Sequence, residues 1–210
     1  MRRFIAFMTI ALVLIAANAM ADSIKGRLGV TGQLGFLSPN NSQYTEGVVS
    51  AFGLSSDNLK SSGAFTGGGG LFYGLTDHWA LEAEALHTPQ IDYDDASGAK
   101  VLEIATTDVS LGIQFRNNVE QDLAVYLGGG VDVLFSNVKD GQGHRGDIDT
   151  VVGGHAKVGV DYFITHYFAI NADVRGIFAP EADIKSGGIT VAKYDPIAWA
   201  GLVGVRLFFY

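Results

Sequence analysis

Glu82 and Glu84 stand two residues apart in WALEAEALH (79–87), each between apolar neighbours. The same placing of ionisable groups among apolar ones returns along the chain. Asp108 and Arg116 bound DVSLGIQFR, Asp132 sits in LAVYLGGGVDVLF, Lys157 and Asp161 in HAKVGVDYF, and Asp173 and Arg175 in FAINADVRG. Arg27 and Arg206 open and close the series. In an extended chain, residues two apart point to the same side. These eleven side chains therefore share one face of several strands. Charges held away from water are costly unless paired and hydrogen-bonded, so six acids facing five bases read first as a packed polar plug. The same pairs, rearranging, could open a path for an ion or solute, although their near-balance argues against strong charge selectivity.

Other chemistry has weaker support. The run GGGGLFYG (67–74) has the glycine content of a phosphate loop without the strand-to-helix context such a loop needs. Carboxylates gather in IDYDDAS (91–97) and DGQGHRGDID (140–149), but neither has calcium-loop spacing, and they read as solvated loops. His78, His87, His144, His155 and His166 include no helical i,i+4 pair for zinc. His87 or His155 beside a serine could serve a lipid-modifying hydrolase, yet neither precedes a persuasive serine motif. The expectation is no catalytic residue, no metal, no cofactor and no enzyme.

The elements that must carry these residues alternate with period two. Leu28, Val30, Leu34 and Phe36 oppose Arg27, Thr31 and Gln33, and the other segments repeat the pattern. With the glycine-rich run at 64–75 and a terminal run from about 195, eight strands are expected. Short connections fall at 76–78, 117–122 and 165–167, and long ones at about 38–62, 89–103, 137–152 and 180–193. Even strand number with alternating short and long connections predicts an all-β, eight-stranded, antiparallel, up-and-down transmembrane barrel with short periplasmic turns and long extracellular loops.

A soluble cup would turn the apolar parity inward, whereas a membrane barrel turns it to lipid. Three features favour lipid. Glycines crowd the charged parity, as a narrow lumen requires (Gly29, Gly35, Gly70, Gly74, Gly112, Gly128, Gly130 and Gly159). Aromatics on the apolar parity lie near strand ends, as in interfacial girdles (Phe36, Trp79, Phe115, Phe135, Tyr162 and Phe168). The chain ends VGVRLFFY, an apolar terminus that needs a surface to lie against, with Tyr210 one residue out of phase. If the register continues outward, Leu37, Leu86, Ile104, Leu134, Val151 and Ile177 face inward at the outer strand ends. They would line an apolar mouth that could bind an apolar ligand, or simply pack beneath folded loops.

The amino terminus reads as an export signal. Arg2 and Arg3 precede an apolar run from Phe4 to Ala17, then Ala19-Met20-Ala21. Residues 1–21 form the expected leader, cleaved after Ala21 or after Ala19, and 22–210 the barrel domain. Of 14 basic residues, Arg2 and Arg3 fall in the leader, so 12 stand against 22 acidic ones in the remainder. That excess opposes nucleic-acid binding. There is no cysteine, so no disulfide holds the fold.

Several phrases, KVGVDYFITHYFAINADVR (157–175), EIATTDVSLGIQF (103–115), YLGGGV (126–131), GLTDHWALE (74–82) and DPIAW (195–199), resemble the OmpW family of small outer-membrane barrels. The resemblance implies an integral outer-membrane protein that forms a narrow conduit or receptor for small hydrophobic molecules. It also implies outer-membrane lipid as a partner, and assembly machinery that reads the C-terminal aromatic strand. The alternative is a structural or interaction barrel with a closed lumen, whose extracellular loops bind partners.

Overall fold

The computed structural model describes residues 23–40, 42–44, 58–94, 98, 100–120, 122–140, 145–186 and 189–209. The expected leader, His144 and Tyr210 lie outside them. Among the described residues there is no helix. The strands are β1 (Leu28–Pro39), β2 (Ser42–Tyr44), β3 (Asn58–Ser61), β4 (Ala64–Gly74), β5 (Trp79–Asp94), β6 (Lys100–Glu120), β7 (Leu123–Asp140), β8 (Arg145–Ile148), β9 (Val151–Thr165), β10 (Phe168–Phe178), β11 (Ala182–Ser186), β12 (Ile189–Tyr194) and β13 (Ala198–Phe209).

Eight of them close a barrel. β1 pairs with β4, and the antiparallel order continues through β5, β6, β7, β9 and β10 to β13, which returns to β1. Closure leaves no unpaired edge, which a strand crossing lipid requires. The register holds the two parities apart: Thr31 lies opposite Arg206 and Gln33 opposite Gly204, while Val30 lies opposite Leu207.

The alternation in β1, β5 and β13 appears directly as alternating burial and exposure. Leu28, Val30, Leu34, Leu81, Leu111, Val131, Val158, Val174, Val203 and Leu207 face outward in one apolar belt. Aromatic pairs rim it at both ends. Trp79 meets Phe115 at 5.1 Å at the short-turn end, while Phe36 meets Phe65 and Phe178 meets Trp199 at the other, both at 6.0 Å. These are the lipid face and interfacial girdles of a membrane barrel.

The expected long loops are in large part further strands. β5, β6 and β7 run on beyond the outer girdle. β8, β11, β12, β2 and β3 then complete a second closed ring, from β7–β8 round to β3–β5. It too has eight strands. Between the rings, the chain passes from one strand to the next at five places, after Pro39 and around 62–63, 149–150, 179–181 and 195–197. All 4 prolines of the chain, Pro39, Pro89, Pro180 and Pro196, sit here. Proline donates no ladder hydrogen bond and is confined to bulges and strand ends. Pro89 lies where the β5–β6 register shifts, between Thr88 and Ile91.

Candidate functional site: a charged lumen beneath an apolar mouth

All eleven charged side chains expected in the lumen are inward and buried. Ten gather into a network through the middle of the barrel. Arg116 and Arg206 both hold Asp161, Arg206 at 2.8 Å. Arg206 also reaches Glu82 at 3.0 Å, and Glu82 in turn is held by Lys157. Lys157 and Arg175 then share Oε2 of Glu84, at 3.0 and 3.1 Å. Arg175 continues to Asp132 at 3.3 Å and Asp108 at 3.6 Å. Asp173 joins through the Tyr126 hydroxyl, which donates to it at 3.1 Å.

Lys157 and Arg175 lie directly opposite each other across β9 and β10. Like charges so placed repel, and Glu84, reaching across from β5, bridges the pair and offsets part of that repulsion. Arg27 stands apart. Its guanidinium donates to the His166 carbonyl at the periplasmic end and lies over the Phe208 ring, 5.3 Å from its centroid.

Several participants were not assigned to the charged lumen from sequence, where His155 stood only as a hydrolase candidate. His155 Nδ1 lies 2.6 Å from Asp132 and 2.9 Å from Arg175. Its parity with Lys157 and Asp161 was the available signal. Thr31 accepts from Arg206 at 2.9 Å, Ser110 from Arg175 at 2.8 Å, and Gln114 from Arg116 at 3.0 Å. Phe72 and Tyr126 turn inward, and the guanidiniums of Arg116 and Arg206 lie 5.0–5.6 Å from their ring centroids. Below them Ile24, Phe72, Ala80, Ala169 and Phe208 form an apolar floor. Buried side chains thus occupy the lumen from its periplasmic end to its middle.

Above the charges the interior changes character. Leu37, Leu86, Ile104, Leu134, Val151 and Ile177 are all inward, buried and in one apolar cluster. The second ring adds Ile91, Tyr93, Val138, Ile148, Ile184 and Tyr194 to the same cluster. The six thus pack beneath folded loop strands. A cavity of about 20 Å³ remains at the junction with the charges, walled by Leu37, Leu86, Leu134 and Ile177, with Asp108 and Tyr194. Ile104 and Val151 belong to the cluster without bordering this cavity.

The other candidates separate. GGGGLFYG lies in β4, where a Cβ added at Gly68 would fall 1.9 Å from the Ala85 carbonyl oxygen, so close strand approach accounts for the glycine. His87 faces outward and meets the Thr107 hydroxyl at 2.9 Å, on the opposite face from His155. Among the described residues no His, Asp and Glu group could hold a metal ion. Of the loop carboxylates, Asp92 pairs with Lys100 at 2.7 Å beyond the outer girdle. Burial raises its carboxyl pKa, but hydrogen bonds from Lys100 and Gln90 outweigh this and leave it below its ordinary value of 3.8.

The family model for the outer membrane protein beta-barrel domain matches residues 7–192. Three solved structures share the fold. OprG from Pseudomonas aeruginosa superposes with a TM-score of 0.66 at 16% identity, covering 90% of this chain and 100% of its own. AlkL in DMPC bilayers gives 0.59 at 17% identity, with 90% and 93% covered. Neisserial surface protein A gives 0.58 at 13%, with 87% and 96% covered. No curated protein sequence matches the chain.

Proposed function

We propose, from the premise that this chain belongs to the outer membrane protein β-barrel family and is integral to the outer membrane, that it takes small hydrophobic molecules from outside the cell and delivers them toward the membrane. One observation carries this reading: an apolar cluster of inward side chains lies directly above a continuous charged network. An apolar molecule can enter the first and gains nothing from the second, so a straight axial path is unfavourable.

A sideways exit is better supported. The β10–β13 ladder ends at Ile177 opposite Ala198, and the next pair outward in the same direction is Ala182 with Tyr194. The stretch between, with Pro180 and Pro196, has no ladder pairing, and Ile177, Tyr194, Pro196 and Ala198 border the cavity beside it. Parting the wall over this stretch breaks no ladder hydrogen bond. The resemblance to OmpW barrels points the same way. We read the barrel as non-catalytic, with His155 committed to Asp132 and Arg175. The aromatic end of β13, Phe208-Phe209, is the segment we assign to recognition by assembly machinery.

The test is entry of a fluorescent apolar probe into proteoliposomes, run beside single-channel recording. The expected result is faster probe entry than in empty vesicles, without steady ionic conductance. Leu86→Asn, which sets a polar amide in the cluster, should slow entry severalfold. Entry no faster than in protein-free vesicles overturns the proposal. That outcome would favour a closed interaction barrel, a reading supported by the folded second ring that tops the lumen.

A further inference from the structure

Asp108 stands at the boundary between the two chemistries of the lumen. It lies on β6 opposite Leu86 of β5 and Leu134 of β7, both of the apolar cluster, and borders the cavity. Its residue is only 4% exposed, and among the described residues neither carboxylate oxygen has a hydrogen-bond partner. The nearest cation, Arg175, is 3.6 Å away and already donates to Glu84, Ser110 and Asp132. A buried carboxylate in that state is poorly satisfied.

The other polar groups bordering the cavity are occupied. Thr88 donates to Thr66 at 3.0 Å, Thr66 to the His87 carbonyl at 3.3 Å, and Thr106 meets Ser136 at 2.9 Å and Tyr194 at 3.3 Å. Asp108 is therefore the cavity-lining acceptor left for a ligand. Counted by formal charge with His155 neutral, the surrounding network has the complementary sign. Glu82, Glu84, Asp108, Asp132, Asp161 and Asp173 outnumber Arg116, Lys157, Arg175 and Arg206 by two. The cavity, about 20 Å³, suits a group of about one water's size.

Together these features identify a head-group subsite. We propose that the cavity selects amphiphiles whose polar end is a protonated amine, with Asp108 accepting from the ammonium and the alkyl chain running outward between Leu37, Leu86, Leu134 and Ile177. This rests on the reading of the mouth as a hydrophobic-ligand site and adds which end of the ligand is read. An ammonium brings donors and the missing charge in a small volume. A carboxylate of equal chain length is larger and meets Asp108, Asp132 and Glu84 as like charges.

The experiment uses the barrel in zwitterionic nanodiscs at pH 7, with isotope-labelled isoleucine methyls. Octylamine, octanol and octanoate are titrated while the Ile91 and Ile177 signals, both from cavity walls, are followed. The expected order is octylamine, then octanol, then octanoate, with at least about tenfold between first and last, the scale of one charge-assisted hydrogen bond. Asp108→Asn should bring octylamine within about threefold of octanol; heat-modified gel mobility reports whether the variant is folded. Octanoate binding as tightly as octylamine to the unsubstituted protein overturns the inference, a comparison independent of the variant's folding. An undiminished amine preference in folded Asp108→Asn overturns it as well. If none of the three ligands moves Ile91 or Ile177, the hydrophobic-ligand site falls with it; equal binding of all three removes only the head-group selectivity.

Discussion

Replacing Glu84 by glutamine removes the charge that separates two facing cations. Glu84 Oε2 receives Lys157 at 3.0 Å and Arg175 at 3.1 Å, and Oε1 receives Gln33 at 3.4 Å. A hydrogen bond to a charged group contributes roughly 1.5–3 kcal/mol, so losing both charge-assisted bonds costs at most about 3–6 kcal/mol. Part is recovered, because the glutamine carbonyl still accepts once, Lys157 keeps Glu82, and Arg175 keeps Asp132. What remains is the repulsion of Lys157 and Arg175 across β9 and β10. We expect a net loss of about 3 kcal/mol, at the low end for breaking a buried ion pair. With a urea dependence of about 2 kcal/mol/M, the unfolding midpoint falls by about 1.5 M. The assay is urea unfolding from phospholipid vesicles, read by the fluorescence of Trp79 and Trp199, the two tryptophans of the chain. Asp173→Asn is the matched comparison. It removes the same unit of charge, but among the described residues Asp173 accepts only the Tyr126 hydroxyl, which an asparagine carbonyl also accepts. Its cost should stay below about 1 kcal/mol. Equal shifts for the two variants would refute the reasoning, since net lumen charge rather than local pairing would then govern stability.

Two further outcomes follow from the packing and the outer ring. A Cβ at Gly159 would lie 2.5 Å from the Tyr126 ring and 2.6 Å from the Ala172 carbonyl oxygen. Gly159→Ala should therefore displace Tyr126 from Asp173 and cost about 1–3 kcal/mol in the same urea assay; an unchanged midpoint would mean that the lumen has slack there. Asp92 has a folded-state pKa below its unfolded value, so its contribution is present above the unfolded pKa and lost as pH falls through the folded one. Below about pH 4, amide protection at the outer end of the β5–β6 hairpin should fall while that of the membrane belt holds. Lys100→Met should remove this pH dependence, and a hairpin still losing protection in that variant would point to another carboxylate.

Local chemistry made the barrel legible. Period-two alternation over nine or more residues assigns each side chain to one of two faces, and glycines on the charged face choose which one is inside a narrow lumen. Residues as far apart as Arg27 and Arg206 were placed inward on that basis, and both are buried. His155 was weighed only as a hydrolase candidate and not as a lumen group, although it shares the parity of Lys157, because a lone histidine beside alanine and glycine gives no charge pattern to count. The second ring was less accessible. β2, β3 and β8 have three or four residues each, too few for alternation to rise above chance, and the nearby prolines read as loop punctuation.

The number of membrane-spanning strands, the sign of each face, the lipid belt, and a set of inward charges beneath inward aliphatics therefore come from the sequence alone, because each depends on neighbours within one strand. The tertiary structure decided who pairs with whom: Lys157 facing Arg175 across Glu84, the loop strands closing above the mouth, and Asp108 left without a hydrogen bond among the described residues at the boundary. Those outcomes depend on register between strands up to 175 residues apart, and register is set by closing the whole ring, which no single segment encodes.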